Sequence, residues 1–362
     1  MPYQKLLVVL GMLFITTACT SKETGKTDIP YTVETLAEGL NVPWEMDVAE
    51  DGRIFFTERP GTVRVMVDGA LLPDPVIEME EPFRSGGEGG LLGLVLDPQF
   101  AENHYIYVYH TYETNGEIQN RVLRLKERNN KASIDHVILD GLAGAQNHNG
   151  GRMKIDPDGY LYITAGDRYE PELAQKEQSL GGKILRIGLD GSIPADNPIP
   201  DSPVYSYGHR NPQGLAWHPD TGQLYASEHG QSAHDEINLI EPGANYGWPL
   251  IEGDEKQAGL KSPLIHSGEE TWAPSGMTFV SQGPWKGQLL VANLRGNQVL
   301  KLLFREQGRV VDDVEPLFQE WGRIRNVYEG PDGSLFMMTN NRDGRGRPAD
   351  GDDKIYRLKP NS

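Results

Sequence analysis

Six times along this chain a turn signal is followed at once by a short run of apolar, β-branched or aromatic residues. Asp51-Gly52 leads into 53–58, Asn103-His104 into 105–109 and Asp158-Gly159 into 160–167. Thr221-Gly222 then leads into 223–228, Lys286-Gly287 into 288–293 and Asp332-Gly333 into 334–338. Counted between Gly52, Asn103, Gly159, Gly222, Gly287 and Gly333, the intervals are 51, 56, 63, 65 and 46 residues. A turn before a β-branched or aromatic run marks a hairpin strand. Recurrence at this interval is the spacing of propeller blades lengthened by loops. No helix-length amphipathic segment follows Tyr31, which argues against an α/β fold, and a solenoid would need a more regular period. The expected fold is all-β, a six-bladed β-propeller with four-stranded antiparallel blades.

Composition agrees where it bears on this. Gly 42 and Pro 25 in 362 residues suit many tight turns, and 38% hydrophobic residues allow a sizeable core. The 34 Lys and Arg face 52 Asp and Glu, a formal net charge of -18. That surface disfavours nucleic acid, whose phosphates need a basic face, and it repels anionic lipid. A local cluster of arginines in such a chain therefore asks for a specific anion.

The first residues read as an address. Lys5 precedes the apolar run Leu6 to Ile15, too short to span a bilayer but suited to a signal-peptide core. Thr16-Thr17-Ala18-Cys19 follows, and it resembles a bacterial lipoprotein signal cleaved before Cys19 and lipidated on its thiol. An ordinary cleaved signal is the alternative. Either way the expectation is export, to the periplasm or to an outer-membrane-anchored lipoprotein whose only membrane contact is the lipid. Cys19 is the sole cysteine, so no internal disulfide is available. The division expected is a leader over 1–19, a flexible tether over 20–30 rich in Ser, Thr, Lys, Gly and Asp, and a single catalytic domain over 31–362.

In a propeller, polar residues at strand ends on one face converge on the central channel. His148 stands in the Gly-rich turn 146–152, and Asp167 ends the next strand. Neutral His can accept a proton, and a carboxylate on its other nitrogen sets the tautomer. Taken alone this is a weak signal, since a loop His and a turn Asp occur in most proteins. The stretch 227–238 concentrates oxygen donors of the kind hard cations take, without the spacing of an EF-hand. Arg323 and Arg325 would share a strand face two residues apart. Such a pair is either a solvated face or a pocket for a ligand with several carboxylates.

Several segments together resemble the soluble quinoprotein glucose and aldose sugar dehydrogenases. They are Gly90-Leu91-Leu92-Gly93-Leu94, the His148 turn, Gly166-Asp167, the Gly-His-Arg-Asn-Pro-Gln-Gly-Leu run at 208–215, 235–240, Asn245-Tyr246-Gly247-Trp248-Pro249 and the Arg323/Arg325 pair. They occur in order from about Leu40 to Leu358. The resemblance implies a six-bladed propeller that binds pyrroloquinoline quinone (PQQ) and calcium. It implies oxidation of an aldose at C1 to the lactone, with electrons leaving to an external acceptor such as a cytochrome or a quinone.

By position, His148 resembles the general base, Asp167 its orienting carboxylate, and Arg210 and Asn211 contacts close to the quinone. Arg295, Arg323 and Arg325 match cations that meet the cofactor carboxylates. Trp272 resembles an aromatic wall, although it also suits a packed propeller Trp. Gly230 and Gln231 match positions whose backbone carbonyls hold Ca²⁺. Glu88, on the cofactor side of the site, stands where relatives usually carry Gln. A carboxylate there is expected to raise the pKa of His148 and so weaken a base that must be neutral, or else to accept a sugar hydroxyl or help a cation. Two other classes remain at this point: a calcium-dependent propeller lactonase, and an exported propeller that binds a partner without catalysis.

Overall fold

The computed structural model describes Met1 and residues 29–361. The expected leader after Met1, Cys19 included, and most of the expected tether lie outside the described residues. Six antiparallel sheets stand around a common axis, each a meander beginning with its innermost strand. The inner strands are Pro43–Val48, Leu91–Leu96, Met153–Ile155, Pro212–Trp217, Pro274–Phe279 and Ile324–Glu329, each packed on the next in a closed ring. The second strands are Ile54–Glu58, Tyr105–Thr114, Tyr160–Ala165, Leu224–Glu228, Leu289–Asn293 and Leu335–Thr339. These are the six runs anticipated from the turn signals. The marks at 52, 103, 159, 222, 287 and 333 all fall between an inner strand and its neighbour, on one face of the disc.

The ring closes through the chain's two described ends. Tyr31–Ala37 pairs with Ile355–Pro360, so the sixth blade takes its outermost strand from the N-terminal side. A propeller closed this way cannot open without breaking that ladder, which protects its edge. The first blade departs from four strands, because Thr62–Val67 pairs with both Ala70–Leu71 and Ile77–Glu78. Among the described residues the longest helical element is the five-residue 3₁₀ segment Pro171–Gln175. None of the described helices is long and apolar enough to cross a membrane.

The core is divided by blade interfaces. One apolar cluster fills each junction; Phe55, Val63, Leu94 and Val108 lie between the first and second blades, and Tyr225, Met277 and Val291 between the fourth and fifth. Each such side chain contributes roughly 1.5–3 kcal/mol by leaving water. Around the axis the inner strands approach too closely for side chains at some positions. A Cβ on Gly214 would stand 2.2 Å from the Ser275 carbonyl oxygen, and one on Gly276 would collide with Asn326.

The axis itself is polar. Arg152, fully buried, pairs with the buried Glu45 of the first blade and donates Nε to the Gln213 carbonyl at 2.8 Å. Its guanidinium lies 4.1 Å from the Trp44 ring centroid, and Asn326 Nδ2 donates to the other Glu45 oxygen. Removing one partner of such a pair strands a buried charge. Arg152→Ala is therefore expected to cost roughly 3–5 kcal/mol, read as a drop in the chemical unfolding midpoint. A loss below about 1 kcal/mol, the worth of an exposed ion pair, would show that this pair does not hold the axis.

Candidate active site

Inner and second strands run antiparallel, so the residues entering an inner strand and those leaving its partner share one end of the blade. The candidate residues are of these two kinds, and all therefore face the side opposite the six marks. Glu88, His148, Arg210, Asn211, Trp272 and Arg323 precede or open inner strands; Asp167, Gly230, Gln231 and Arg295 follow second strands.

His148 and Asp167 come together as anticipated. His148 Nδ1 lies 2.7 Å from Asp167 Oδ1, and both residues are buried. Asp167 is held by two further donors: the Tyr169 amide to Oδ1 at 2.9 Å and Trp248 Nε1 to Oδ2 at 2.9 Å. A carboxylate beside Nδ1 places the proton there and leaves Nε2 as the acceptor. His148 has φ 59°, and Arg168 and Tyr169 follow Asp167 with φ 50° and 65°. Left-handed backbone is uncommon for such residues and concentrates where the surroundings enforce it.

Glu88 meets His148 through the backbone. Its Oε2 accepts the His148 backbone N–H at 3.0 Å, and its Oε1 accepts Arg345 Nη1 at 2.6 Å. Burial opposes its charge, but His229, Arg345 and the His148 amide outweigh that and hold the carboxyl well below its ordinary range. His229 is itself driven toward the neutral form, first by burial, so Arg345 is the lasting cation.

Arg323 and Arg325 both line the site, but not as successive residues on one regular strand face. The pairing shifts between Ile324 and Asn326, so Arg325 sits in a bulge. The chain itself supplies one anion here: Asp343 Oδ2 accepts Arg323 Nη2 at 2.6 Å. Arg325 donates to Gln213 Oε1 at 3.1 Å and to Ser275 Oγ and Asn340 Oδ1 at 3.3 Å each. Burial, followed by the like charges of Arg323, Arg59 and Arg152, outweighs the help of Asp343 and pushes Arg325 down to about 9. Arg59, Arg323, Arg325 and Arg345 thus share Asp343 and Glu88 as the carboxylates among them.

Arg210 stands across the channel, its guanidinium 5.3 Å from the Trp248 ring centroid, and donates Nη1 to the Gly230 carbonyl at 2.6 Å. Its Nε and the Nδ2 of fully buried Asn211 have no hydrogen-bond partner among the described residues. Arg295 does not join the other arginines: it is exposed at the rim, tied through its backbone amide to the Trp272 carbonyl at 3.0 Å. Trp272 is half-buried and packs on the cluster between the fourth and fifth blades, while its own amide donates to Asp235 Oδ2 at 2.6 Å. Gln231 is exposed.

The sequence reading assigned no role to Trp248, Asp343, Arg345, Arg59 and His229. Trp248 lies inside a quoted motif and was within reach of it. His229 lies within the 227–238 stretch, where only oxygen donors were weighed, and Asp343, Arg345 and Arg59 carry no local signal, since each is polar in a loop like many that face only water.

Known proteins are similar to this chain in sequence and fold. The family model for glucose/sorbosone dehydrogenases matches residues 40–356. An aldose sugar dehydrogenase of Streptomyces coelicolor, solved in its PQQ-bound form, superimposes with a TM-score of 0.82 at 36% identity, covering 91% of this chain and 98% of that one. The aldose sugar dehydrogenase YliI of Escherichia coli is 33% identical over 338 residues, which are 86% of this chain and 91% of that protein. Quinoprotein glucose dehydrogenase B of Acinetobacter calcoaceticus is 29% identical across 87% of this chain and 86% of its own. With a six-bladed propeller, a buried His148–Asp167 dyad and a family match from Leu40 to Tyr356, this chain belongs to the glucose/sorbosone dehydrogenase family.

Proposed function

We propose that this protein is an exported, PQQ- and Ca²⁺-dependent dehydrogenase that oxidises aldoses at C1 to the lactone and passes the electrons to an external acceptor. The observation that carries the reading is the His148–Asp167 dyad set beside a cluster of arginines short of carboxylates. A tricarboxylate is what that cluster lacks, in a chain of net charge -18. The unpartnered Arg210 Nε and Asn211 Nδ2 are further donors able to serve a polar ligand.

Arg323, Arg325 and Arg59 would hold the carboxylates, and Arg210 and Asn211 the polar edge of the cofactor. For the metal, the Gly230 and Gln231 carbonyls are oxygen donors of the type Ca²⁺ takes. The Gly230 oxygen already accepts Arg210 but has a second lone pair. When bound, the quinone supplies the acceptor for the C1 hydride and Ca²⁺ supplies Lewis acidity. His148 Nε2 takes the proton from the anomeric hydroxyl, and Asp167 keeps Nδ1 protonated and the ring in place. Trp248 and the Tyr169 amide keep Asp167 from turning away. The lactonase alternative needs acidic side chains gathered on a channel metal. Among the described residues no group of three or more His, Cys, Asp or Glu is placed to hold one.

Reconstitution tests the proposal. Mature protein supplied with PQQ and Ca²⁺ is expected to reduce an artificial dye on addition of glucose or another aldose, and to need both additions. Absence of quinone binding in the presence of Ca²⁺ would sink it. Membrane attachment through Cys19 rests on the leader alone and predicts a mass increment of acyl chains on the exported protein.

A further inference from the structure

A closed ring of polar contacts surrounds the base, and three blades contribute to it. Arg345 donates Nη1 to Glu88 and Nη2 to Asn147 Oδ1 at 3.3 Å. Asn147 Nδ2 donates to Tyr169 Oη at 3.2 Å, and the Tyr169 amide returns to Asp167. Asp167 meets His148 Nδ1, and the His148 amide meets Glu88, which closes the circuit. The Tyr169 ring lies on the imidazole at 3.9 Å between centroids. Two loops dock tightly to permit this: the Glu88 amide donates to the Gln146 carbonyl at 2.8 Å, and a Cβ on Gly87 would stand 2.2 Å from that oxygen. Arg345 is in turn anchored through its own amide to Asp343 Oδ1 at 2.8 Å, the carboxylate that holds Arg323.

We propose that Arg345 is a positioning residue for the base: it neutralises Glu88, so that the carboxylate fixes the left-handed His148 peptide without leaving net negative charge beside the imidazole. Glu88 then acts through the backbone of His148, and Arg345 acts through Glu88. The guanidinium can do this from a half-exposed position because both of its forks are engaged. The other charged or titratable groups facing the pair are Asp167 and Tyr169 of the third blade, Arg210 and His229 of the fourth, Arg59 of the first and Asp343 of the sixth, whose carboxylate is shared with Arg323. Of the cations, only Arg345 donates a hydrogen bond to Glu88. The inference rests on the dehydrogenase reading for its catalytic consequence, but the ring itself does not.

The test is a cycle of Arg345→Ala, Glu88→Gln and the double variant, each reconstituted with PQQ and Ca²⁺ and assayed with glucose across pH. Arg345→Ala is expected to lower kcat/KM about tenfold, the size of coupling seen between groups in one network. It should also move the acid limb of the profile to higher pH, because an unpaired carboxylate favours a positive charge nearby. The PQQ titration midpoint stays in place, and Arg345→Lys recovers part of the loss. In the Glu88→Gln background, Arg345→Ala should cost little more, since a neutral amide needs no counterion. An equal loss in both backgrounds, or no loss in either, overturns the proposal. Hydrogen exchange over residues 145–150 of cofactor-free protein reads the same contact without turnover. Faster exchange in Arg345→Ala is expected, and unchanged exchange overturns the proposal. A wild-type protein that never reduces dye would sink the dehydrogenase reading while leaving the exchange result to decide the role of Arg345.

Discussion

Replacing His148 by alanine is expected to lower dye-linked turnover by about 10²- to 10⁴-fold, the range general-base catalysis supplies, while PQQ still binds. On this reading the imidazole takes the proton through Nε2, and neither carboxylate bonded to His148 is free to replace it: Glu88 holds its backbone amide and Arg345. Asp167, the nearest carboxylate, is committed to three donors: His148 Nδ1, the Tyr169 amide and Trp248 Nε1. It is also attached to the far side of the ring. The arginines that would hold the cofactor belong to other blades, so their positions do not depend on the imidazole. The measurements are kcat with saturating aldose and a quinone titration by absorbance on the same preparation. Equal loss of binding and turnover would count against a base and for a structural role in the cofactor cradle.

The second large effect is on cofactor affinity. Arg323→Ala together with Arg325→Ala is expected to weaken PQQ reconstitution by about 10²- to 10⁴-fold, the value of two hydrogen bonds to charged groups. Arg325 is buried and surrounded by Arg323, Arg59 and Arg152, so part of its charge is uncompensated by the chain. A carboxylate brought in from outside relieves that repulsion, which is why the pair should favour an anionic ligand over a neutral one. The double alanine variant also leaves Gln213, Ser275 and Asn340 without a donor they now share, and a thermal melt must confirm that it folds. Arg323→Lys with Arg325→Lys provides the charge-retaining control. It should keep a larger share of the affinity than the alanine pair, though not all, because an ammonium lacks the planar fork. An unchanged midpoint in the alanine pair would remove both residues from the site.

Much of the architecture was legible from local chemistry. A Gly-containing turn before a β-branched or aromatic run needs only a few neighbouring residues to specify a hairpin, and all six anticipated runs are second strands of blades. The outer strands were not legible. Ala70–Leu71 and Ile265–His266 are two residues each, too short for any periodicity, and exist because a longer strand beside them accepts their hydrogen bonds. In the site, His148, Asp167, Arg210 and Asn211 were reached through motifs continuous in sequence. The side-by-side arrangement anticipated for Arg323 and Arg325 was modified by a bulge, which depends on pairing with Leu335–Thr339 and not on the residues themselves.

By itself, then, the sequence determined the number of blades, the face on which strand ends would gather and the residues at those ends, because turn and strand preferences act within a few positions. Only the tertiary structure decided how the gathered charges neutralise one another. Glu88 and Arg345 are separated by 257 positions, Glu45 and Arg152 by 107, and Tyr31–Ala37 closes the ring against Ile355–Pro360. A carboxylate's role depends on which cation stands within about 4 Å of it. Over such separations that is set by the closing of the propeller, which carries six strand ends to one axis and leaves each charge to find its partner across the channel.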